Sequence, residues 1–568
     1  MILGIDLGTT NSAAAIWREG APQLVPNALG EWLTPSVVSV DEDGTIHVGA
    51  AARDRQTTDP DRTVASFKRY MGTQSRAQMG RHSYSPEELS AFVLRTIKAD
   101  AEAFCGEPIT DAVITVPAYF NDRQRKATRQ AGELAGLVVR RLINEPTAAA
   151  LAFGVHSRAE HEPFLVFDLG GGTFDVSIVE MFDGIVEVRA SAGDNHLGGD
   201  DFNDCLVAMA RPLVDPEGRL AQDAPHLVEA RLRAAAEQTK RALSVADEAP
   251  FMLTVGGEQR RAMITARAFE EQAQALVTRL RDPVLRSLRD SDIDVKTLSE
   301  VVLVGGATRM PIVRRAITRM FGRFPNSSVH PDHAVALGAA VQAGLLARDA
   351  ALDEIRLTDV CPFTLGVNHS ERDARGNLHH GLFSPIIERN TPIPVSRVES
   401  YRTLGDNQRH IEFGIYQGES RDVASNVLLG SISIPVPPRP AGEVVVDCRF
   451  SYDSSGLLEV DVVVPETGQT RNLVIVDEGD KKADRDFEAR RAKLAALKFH
   501  PREAMENVAA LSRARKAYEA FIGERREAIG QWITRFESVL TTQDHRLIVE
   551  ERRLLLHNLD LIEQDYGL

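Results

Sequence analysis

Two stretches of this chain repeat one pattern, and the repeat constrains the fold more than any other feature. In Phe167-Asp168-Leu169-Gly170-Gly171-Gly172-Thr173-Phe174-Asp175, an apolar run from Phe164 leads in and a second, Val176 to Val179, leads out. Three glycines between two strands predict a tight turn that no side chain obstructs. Glycine tolerates positive φ, so several backbone N–H groups can converge on one anion. Thr173 adds a hydroxyl, and Asp168 and Asp175 add charge suited to a hard cation. Ile2-Leu3-Gly4-Ile5-Asp6-Leu7-Gly8-Thr9-Thr10-Asn11-Ser12 has the same plan, followed by a second strand through Ala13 to Trp17. One glycine hairpin is as often a plain turn as a ligand site. A pair predicts two related halves facing each other across a phosphate-binding cleft. No helix opens at either set of glycines, so neither the Rossmann nor the Walker fingerprint applies.

With 568 residues the chain is too long for one core, and three or four domains are expected. Its hydrophobic content of 43% and charged content of 26% are those of a soluble globular protein. A net charge of −15 argues against a duplex nucleic-acid partner, whose binding rests on Lys and Arg neutralising phosphates. Cys105, Cys205, Cys361 and Cys448 are far apart and share no metal spacing, so they read as reduced residues of a cytoplasmic protein. A strand expected from Ile2 leaves no room for a signal peptide. No apolar run approaches the ~20 residues of a membrane span.

Along the chain, residues 1 to 350 alternate strand and helix signals, as in an α/β domain. Val113 to Phe120 reads as a strand ended by proline, and Asp122 to Leu137 as a helix with Asp122 as N-cap. A helix begins at Ile143-Asn144-Glu145-Pro146, with Pro146 near its first turn. Glu229 to Leu243 has helical spacing and carries Glu237, Lys240, Arg241 and Ser244 on one face. Val301 to Val304 is a buried strand running into Gly305-Gly306, and Pro331-Asp332 leads into a small-residue helix. From Cys361 to about Val476 apolar residues alternate with polar ones, as at Ile411, Phe413 and Ile415, which predicts antiparallel β structure. From Asp480 to Leu568 only helical spacing remains, as at Ile529, Trp532, Ile533, Phe536 and Leu540.

The motifs GIDLGTTNS at 4–12, VPAYFND at 116–122, INEPTAAA at 143–150, FDLGGGTFDVS at 167–177, VLVGGATRMP at 302–311 and DNQ at 406–408 are similar to those of the 70-kilodalton heat-shock chaperones of the DnaK type. They are dense in the first 350 residues and sparser afterwards. The length of the chain and its lack of a disordered tail make it resemble most the HscC-type bacterial branch. The resemblance implies an actin-like, two-lobed α/β ATPase domain over residues 1–350, a linker at 351–360, an antiparallel β-sandwich that grips an extended peptide at 361–478, and an α-helical lid at 479–568.

What the resemblance implies for chemistry can be placed residue by residue. ATP or ADP would lie between the hairpins, its phosphates against Gly8, Thr9, Thr10, Asn11, Gly170, Gly171, Gly172 and Thr173. Mg²⁺ would be held, mostly through water, by Asp6 and Asp168, with K⁺ a further candidate ion. Lys68 matches the catalytic lysine. Glu145 and Asp175 match the carboxylates that orient water and ions, and Asp168 and Thr173 complete the catalytic set. Glu237, Lys240, Arg241 and Ser244 would clasp the adenosine opposite Gly305, Gly306, Arg309 and Asp332. Val367, Tyr401, Leu404, Ile411, Phe413 and Leu457 align with the peptide groove, although alternate apolar residues in a sandwich are as often core. Pro117, Arg125 and Asp359 match the relay between nucleotide and linker, and Arg141 matches a contact for a J-domain co-chaperone. The implied protein is a cytoplasmic monomer with an unfolded or dedicated client polypeptide and no membrane or nucleic-acid partner.

Three departures from the family pattern stand out. The linker, Glu354-Ile355-Arg356-Leu357-Thr358-Asp359, interrupts the usual leucine run with Arg356 and Thr358. The polar loop from His369 to His380 is long, and Tyr401 and Leu404 are unusual groove residues, so the peptide preference is open. The stretch from Ser244 to Thr265 is short, which implies that no exchange factor is needed. An actin-like sugar kinase would share the hairpins, but the C-terminal 200 residues argue against it. A chaperone relative that binds ATP without hydrolysing it is disfavoured by Lys68, Glu145, Asp168 and Thr173.

Overall fold

The fold is taken from a computed structural model that describes residues 1–154, 162–182, 185–218, 225–255, 258–326, 330–349, 352, 356–372, 377–453, 456–475, 504–521 and 523–564. Glu354 and Ile355 of the linker, residues 373–376 of the long polar loop and the expected boundary at 478/479 lie outside the described residues. The chain divides into two compact units: Met1–Ile393 with Ile415–Leu429, and Pro394–Gly414 with Gly430–Leu568.

The first unit is built on two sheets that repeat one arrangement. In the first sheet the order is Val138–Asn144, Asp111–Val116, Ile2–Asp6, Asn11–Arg18, Ala21–Val25. The first three strands are parallel, and each of the last two is antiparallel to its predecessor. In the second sheet the order is Val301–Val304, Phe164–Leu169, Phe174–Phe182, Ile185–Asp194, Arg356–Val360, Pro392–Ile393. Here Phe164–Leu169 again has a parallel neighbour on one side and its own hairpin partner on the other. Asp6 lies opposite Ala13, and Asp168 opposite Asp175, so each hairpin carries its aspartate at the turn end of the first strand. The expected pair of related halves is therefore present as sheet topology.

Both hairpins rest on apolar cores. Phe167 and Phe174 are fully buried with ring centroids 4.6 Å apart, and burying each contributes on the order of 1.5–3 kcal/mol. The helices Glu145–Gly154 and Ala334–Leu346 pack together. Their small residues permit it: a Cβ on Gly338 would overlap the Ala148 carbonyl. The helix Asp122–Leu134 departs from expectation at its start. Its N-cap is Asn121, not Asp122, because the Asn121 side chain accepts from the Gln124 N–H while the Gln124 side chain accepts from the Asn121 N–H, both at 3.0 Å.

In the second unit, Val395–Arg402, Val445–Tyr452, Leu458–Val464 and Gln469–Ile475 form an antiparallel sheet in that order. The helices Met505–Ala520, Glu524–Thr542 and His545–Gln564 form a bundle around Ile529, Phe536, Leu540, Leu555 and Leu559. Trp532 and Ile533 pack against that core, as their spacing predicts. All four cysteines are free thiols. Among the described residues no helix is long and apolar enough to cross a membrane.

Candidate nucleotide-binding site

The two hairpin turns meet at the floor of a cavity of about 650 Å³. Positive φ is expected at glycines in such turns, but Gly8, Gly170, Gly171 and Gly172 avoid the left-handed region. What they supply is clearance. A Cβ on Gly171 would overlap Thr10 Oγ1, and one on Gly172 would stand 2.6 Å from Thr9 Cγ2. The threonines of one turn thus fill the space left by the missing side chains of the other. Gly305 does need positive φ, at 82°, and abuts the Leu169 carbonyl.

Fifteen of the sixteen residues expected to touch nucleotide line the cavity, from Gly8, Thr9, Thr10 and Asn11 through to Arg309 and Asp332, and Gly172 alone does not. Asp6, Lys68, Glu145 and Asp168 also line it. Asp175 stands behind this wall, where its Oδ1 accepts from the Tyr119 N–H at 3.3 Å. Lys68 is 2% exposed and Glu145 8% exposed, and Lys68 Nζ donates to Glu145 Oε1 at 2.6 Å. Phe67–Tyr70, a 3-10 turn, holds Lys68 in place, and the Phe120 ring lies 5.7 Å from its ammonium.

The electrostatics of this end are unbalanced. Burial, then the charge of Glu145, pushes the Asp6 carboxyl up to about 7, against the pull of Lys68 and a bond from Thr115. Burial and Glu145 likewise push Asp175 up to about 8 and Asp168 well above the usual carboxylate range. A cluster of buried carboxylates that raise one another favours an added cation.

The other end is a set of ion pairs. Glu237 accepts from Lys240 and Arg241, both at 2.7 Å, and from Asn203 at 3.0 Å. Burial pushes the Glu237 carboxyl up, but these partners outweigh it and bring it down to about 2. Ser244 Oγ donates to the Lys240 carbonyl at 3.0 Å. Across the cavity Arg309 pairs with Asp332, beside Gly306.

Sequence reasoning missed Gly199 and Asp200, which also line the cavity. Their N–H groups donate to the carbonyls of Gly170 and Gly171 at 2.9 and 2.8 Å and brace the triple-glycine turn. A second glycine pair, Gly198-Gly199, at the head of a helix was the available signal.

A family model described as Hsp70 protein matches residues 2–79 and 73–564. The chain is 44% identical over 487 residues to a protein named Chaperone protein DnaK from Thermotoga neapolitana, covering 84% of this chain and 80% of that protein. The proteins of that name from Thermotoga petrophila and Thermotoga maritima match equally. This chain belongs to the Hsp70 family. It is an ATP-dependent chaperone for client polypeptides and an ATPase. The mixed sheets, the antiparallel sheets and the C-terminal helices correspond to the ATPase lobes, the sandwich and the lid of an Hsp70.

The described part of the segment expected as a linker forms a strand, Arg356–Val360. Arg356, Leu357 and Thr358 pair in parallel with Ile185, Val186 and Glu187. Asp359 is buried, and its carboxylate accepts from Asn144 Nδ2 at 3.0 Å and Thr147 Oγ1 at 3.4 Å. Arg125 donates to Asn144 Oδ1 at 2.6 Å and to the carbonyls of Ala118 and Phe120, flanking the turn after Pro117. Burial raises the Asp359 carboxyl, and the charges of Arg141 and Arg125 oppose that rise. Asn144, which joins Arg125 to Asp359, was not singled out from sequence.

The expected peptide-groove residues fall into both units. Val367 is fully buried in the first. In the second, the Tyr401 and Phe413 rings meet at a tilt with centroids 5.2 Å apart, Leu457 is buried, Ile411 is half-buried, and Leu404 is 38% exposed.

Proposed function

We propose that Lys68 and Glu145 form the hydrolytic centre of this ATPase, with the β- and γ-phosphates lying between Thr9-Thr10 and Gly170-Gly171-Gly172-Thr173. The observation that carries this is the buried ammonium–carboxylate pair, 2.6 Å apart, on the wall of the cavity where the two turns meet. Phosphoryl transfer needs little covalent help from the protein; it needs alignment and neutralised charge. Lys68 supplies a fixed positive charge beside the γ-phosphoryl group, Glu145 fixes its direction, and Thr173 donates a hydroxyl. Glu145 orients the attacking water at the cavity wall, and Asp175 supports that wall from behind. Asn11 and Gly8 complete the first phosphate turn. Glu237, Lys240, Arg241 and Ser244 clasp the adenosine from one side, and Gly305, Gly306, Arg309 and Asp332 from the other.

Asp6 and Asp168 are the residues that would hold Mg²⁺. Their raised carboxyls, buried beside Glu145 on the cavity, fit a cation site, and Mg²⁺ dehydrates reluctantly and suits carboxylates that hold it through water. When bound, Mg²⁺ would neutralise charge on the phosphates.

Single-turnover hydrolysis tests the assignment. Lys68→Ala should bind ATP nearly as the parent does and hydrolyse it more than about tenfold more slowly, the ~1.4 kcal/mol of transition-state stabilisation that one positioned charge supplies at minimum. Unchanged turnover removes Lys68 from the mechanism.

Nucleotide state reaches the linker through neighbouring residues on this reading: Glu145 holds Lys68, and Asn144 holds Asp359 and Arg125. The ATPase domain is 1–350, the linker 351–360, the peptide-binding domain 361–478 and the lid 479–568. Client segments engage Tyr401, Leu404, Ile411, Phe413 and Leu457 in the cytoplasm, a J-domain partner docks near Arg141, and nucleotide leaves without an exchange factor. Switching a two-state protein from 1:99 to 99:1 takes about 5.5 kcal/mol. A linker with Thr358 in place of an apolar residue buries less, so ATP should accelerate peptide release less than in a leucine-linker Hsp70. Equal acceleration in a stopped-flow comparison would refute this.

A further inference from the structure

The segment carrying Lys68 is tied across the cleft on both sides of that lysine. Ser66 caps the 3-10 turn Phe67–Tyr70 but makes no capping bond to it. Its backbone sits in the left-handed region, at φ 53°, which a non-glycine residue adopts only when its surroundings impose it. Its hydroxyl instead donates to Asp200 Oδ2 at 2.7 Å. Arg69, on the far side of Lys68, donates to Asp201 Oδ2 at 2.6 Å. Its Nε is buried against Gly172, where a Cβ would stand 2.8 Å away.

The acceptors belong to the loop that braces the triple glycine. Asp201 Oδ2 also accepts from the Gly198 N–H at 2.7 Å, and a Cβ on Gly198 would lie 2.5 Å from the Gly171 carbonyl. Gly199 and Asp200 donate to Gly170 and Gly171 as described above. One carboxylate therefore joins Arg69, on the lobe of the first hairpin, to the cradle of the second.

We propose that Ser66 and Arg69 are positioning residues, a clamp that aligns Lys68 with the phosphate cradle only while the cleft is closed. The strained backbone at Ser66 is held by its bond to Asp200, so opening the cleft frees the turn to relax and moves Lys68 out of line. Hydrolysis is thereby confined to the closed state, and escape of nucleotide from the open state carries no hydrolytic cost. The inference rests on the assignment of Lys68 to the hydrolytic centre.

The test uses the full chain with Mg²⁺ and ATP and compares single-turnover hydrolysis, ATP affinity, ADP release and melting temperature. Arg69→Gln and Asp201→Asn should each lower the hydrolytic rate at least tenfold, change ATP affinity less than threefold and speed ADP release. The double variant should be no slower than the slower single one, because both remove one contact. Arg69→Lys, which keeps the charge, should recover most of the rate. Ser66→Gly, which relieves the strain and removes the bond, should lower the rate severalfold without lowering the melting temperature. A fall in rate that tracks a fall in melting temperature across this set would make the contacts merely structural and overturn the proposal. If Lys68→Ala abolishes turnover while Arg69→Gln and Asp201→Asn hydrolyse normally, the clamp alone fails. If Lys68→Ala hydrolyses normally, the assignment of Lys68 fails and the clamp with it.

Discussion

The two glycine hairpins share a topology and differ in how they are held. The first turn is buttressed by side chains. Ser36 Oγ donates to the Gly8 carbonyl at 2.8 Å, Ser12 accepts from the Gly8 N–H at 3.2 Å, and the two hydroxyls are 2.9 Å apart, all buried or nearly so. Among the described residues no side chain buttresses the second turn in this way, and backbone donors from Gly199 and Asp200 hold it. At the interface the difference is reciprocal: Thr9 and Thr10 of the first turn occupy the clearance over Gly171 and Gly172 of the second. A duplicated motif has thus become complementary, one copy contributing hydroxyls and the other bare backbone. The lesson is that a glycine in such a turn is specified by its opposite number, not by its own dihedral angles.

Breaking that reciprocity should have the largest effect. Gly171→Ala places a methyl group on Thr10 and should lower ATP affinity about 100-fold in equilibrium titration, near the upper end of the ~1–3 kcal/mol that overpacking costs. Adding Thr10→Ala to Gly171→Ala should recover part of the loss, which a purely local defect at Gly171 would not allow. Next comes the buttress of the first turn. Ser36→Ala leaves the Gly8 carbonyl and Ser12 short of a partner, and denaturant unfolding should lose about 1–3 kcal/mol.

The Glu237 cluster, outside both turns, gives a smaller and pH-dependent effect. Its carboxyl is held down to about 2, so its stabilisation is present above its ordinary pKa and lost as pH falls through 2. Glu237→Gln should lower stability by about 1 kcal/mol at pH 7, allowing for its partial exposure, with the gap closing as acid is added. A gap that persists at low pH would show that packing, not charge, is responsible. The smallest effect is expected at Gly170, where an added Cβ meets nothing closer than 3.7 Å. Gly170→Ala should stay within about 0.5 kcal/mol of the parent in stability and within a few-fold in ATP affinity. A loss as large as that of Gly171→Ala would mean that the glycines are required for their backbone freedom after all.

Much of the site was legible because it is written in local pattern. Apolar runs around Asp6 and Asp168 marked the strands, and the glycines marked the turns. The face Glu237, Lys240, Arg241 followed from helical spacing. Of Gly198, Gly199 and Asp201 only the glycine pair showed in the sequence; what they do was not legible, because their partners lie in other elements and the helix that Gly199 begins gives no sign of what its N-terminus touches. The same holds for Asn144. It sits next to a recognisable Glu145, yet its partners Arg125 and Asp359 are distant in sequence.

By itself the sequence determined the alternation of strands and helices, the duplicated hairpins, the shift to β and then α structure, and the family. Those are decided by short-range periodicity and turn chemistry, which each segment carries alone. The tertiary structure decided why Gly171 is glycine, where Lys68 points, which residue caps the helix after Pro117, and that Arg356–Val360 adds to a sheet as a strand. Each of those depends on an atom supplied by a remote segment, and clearance, pairing and desolvation exist only once that segment has arrived.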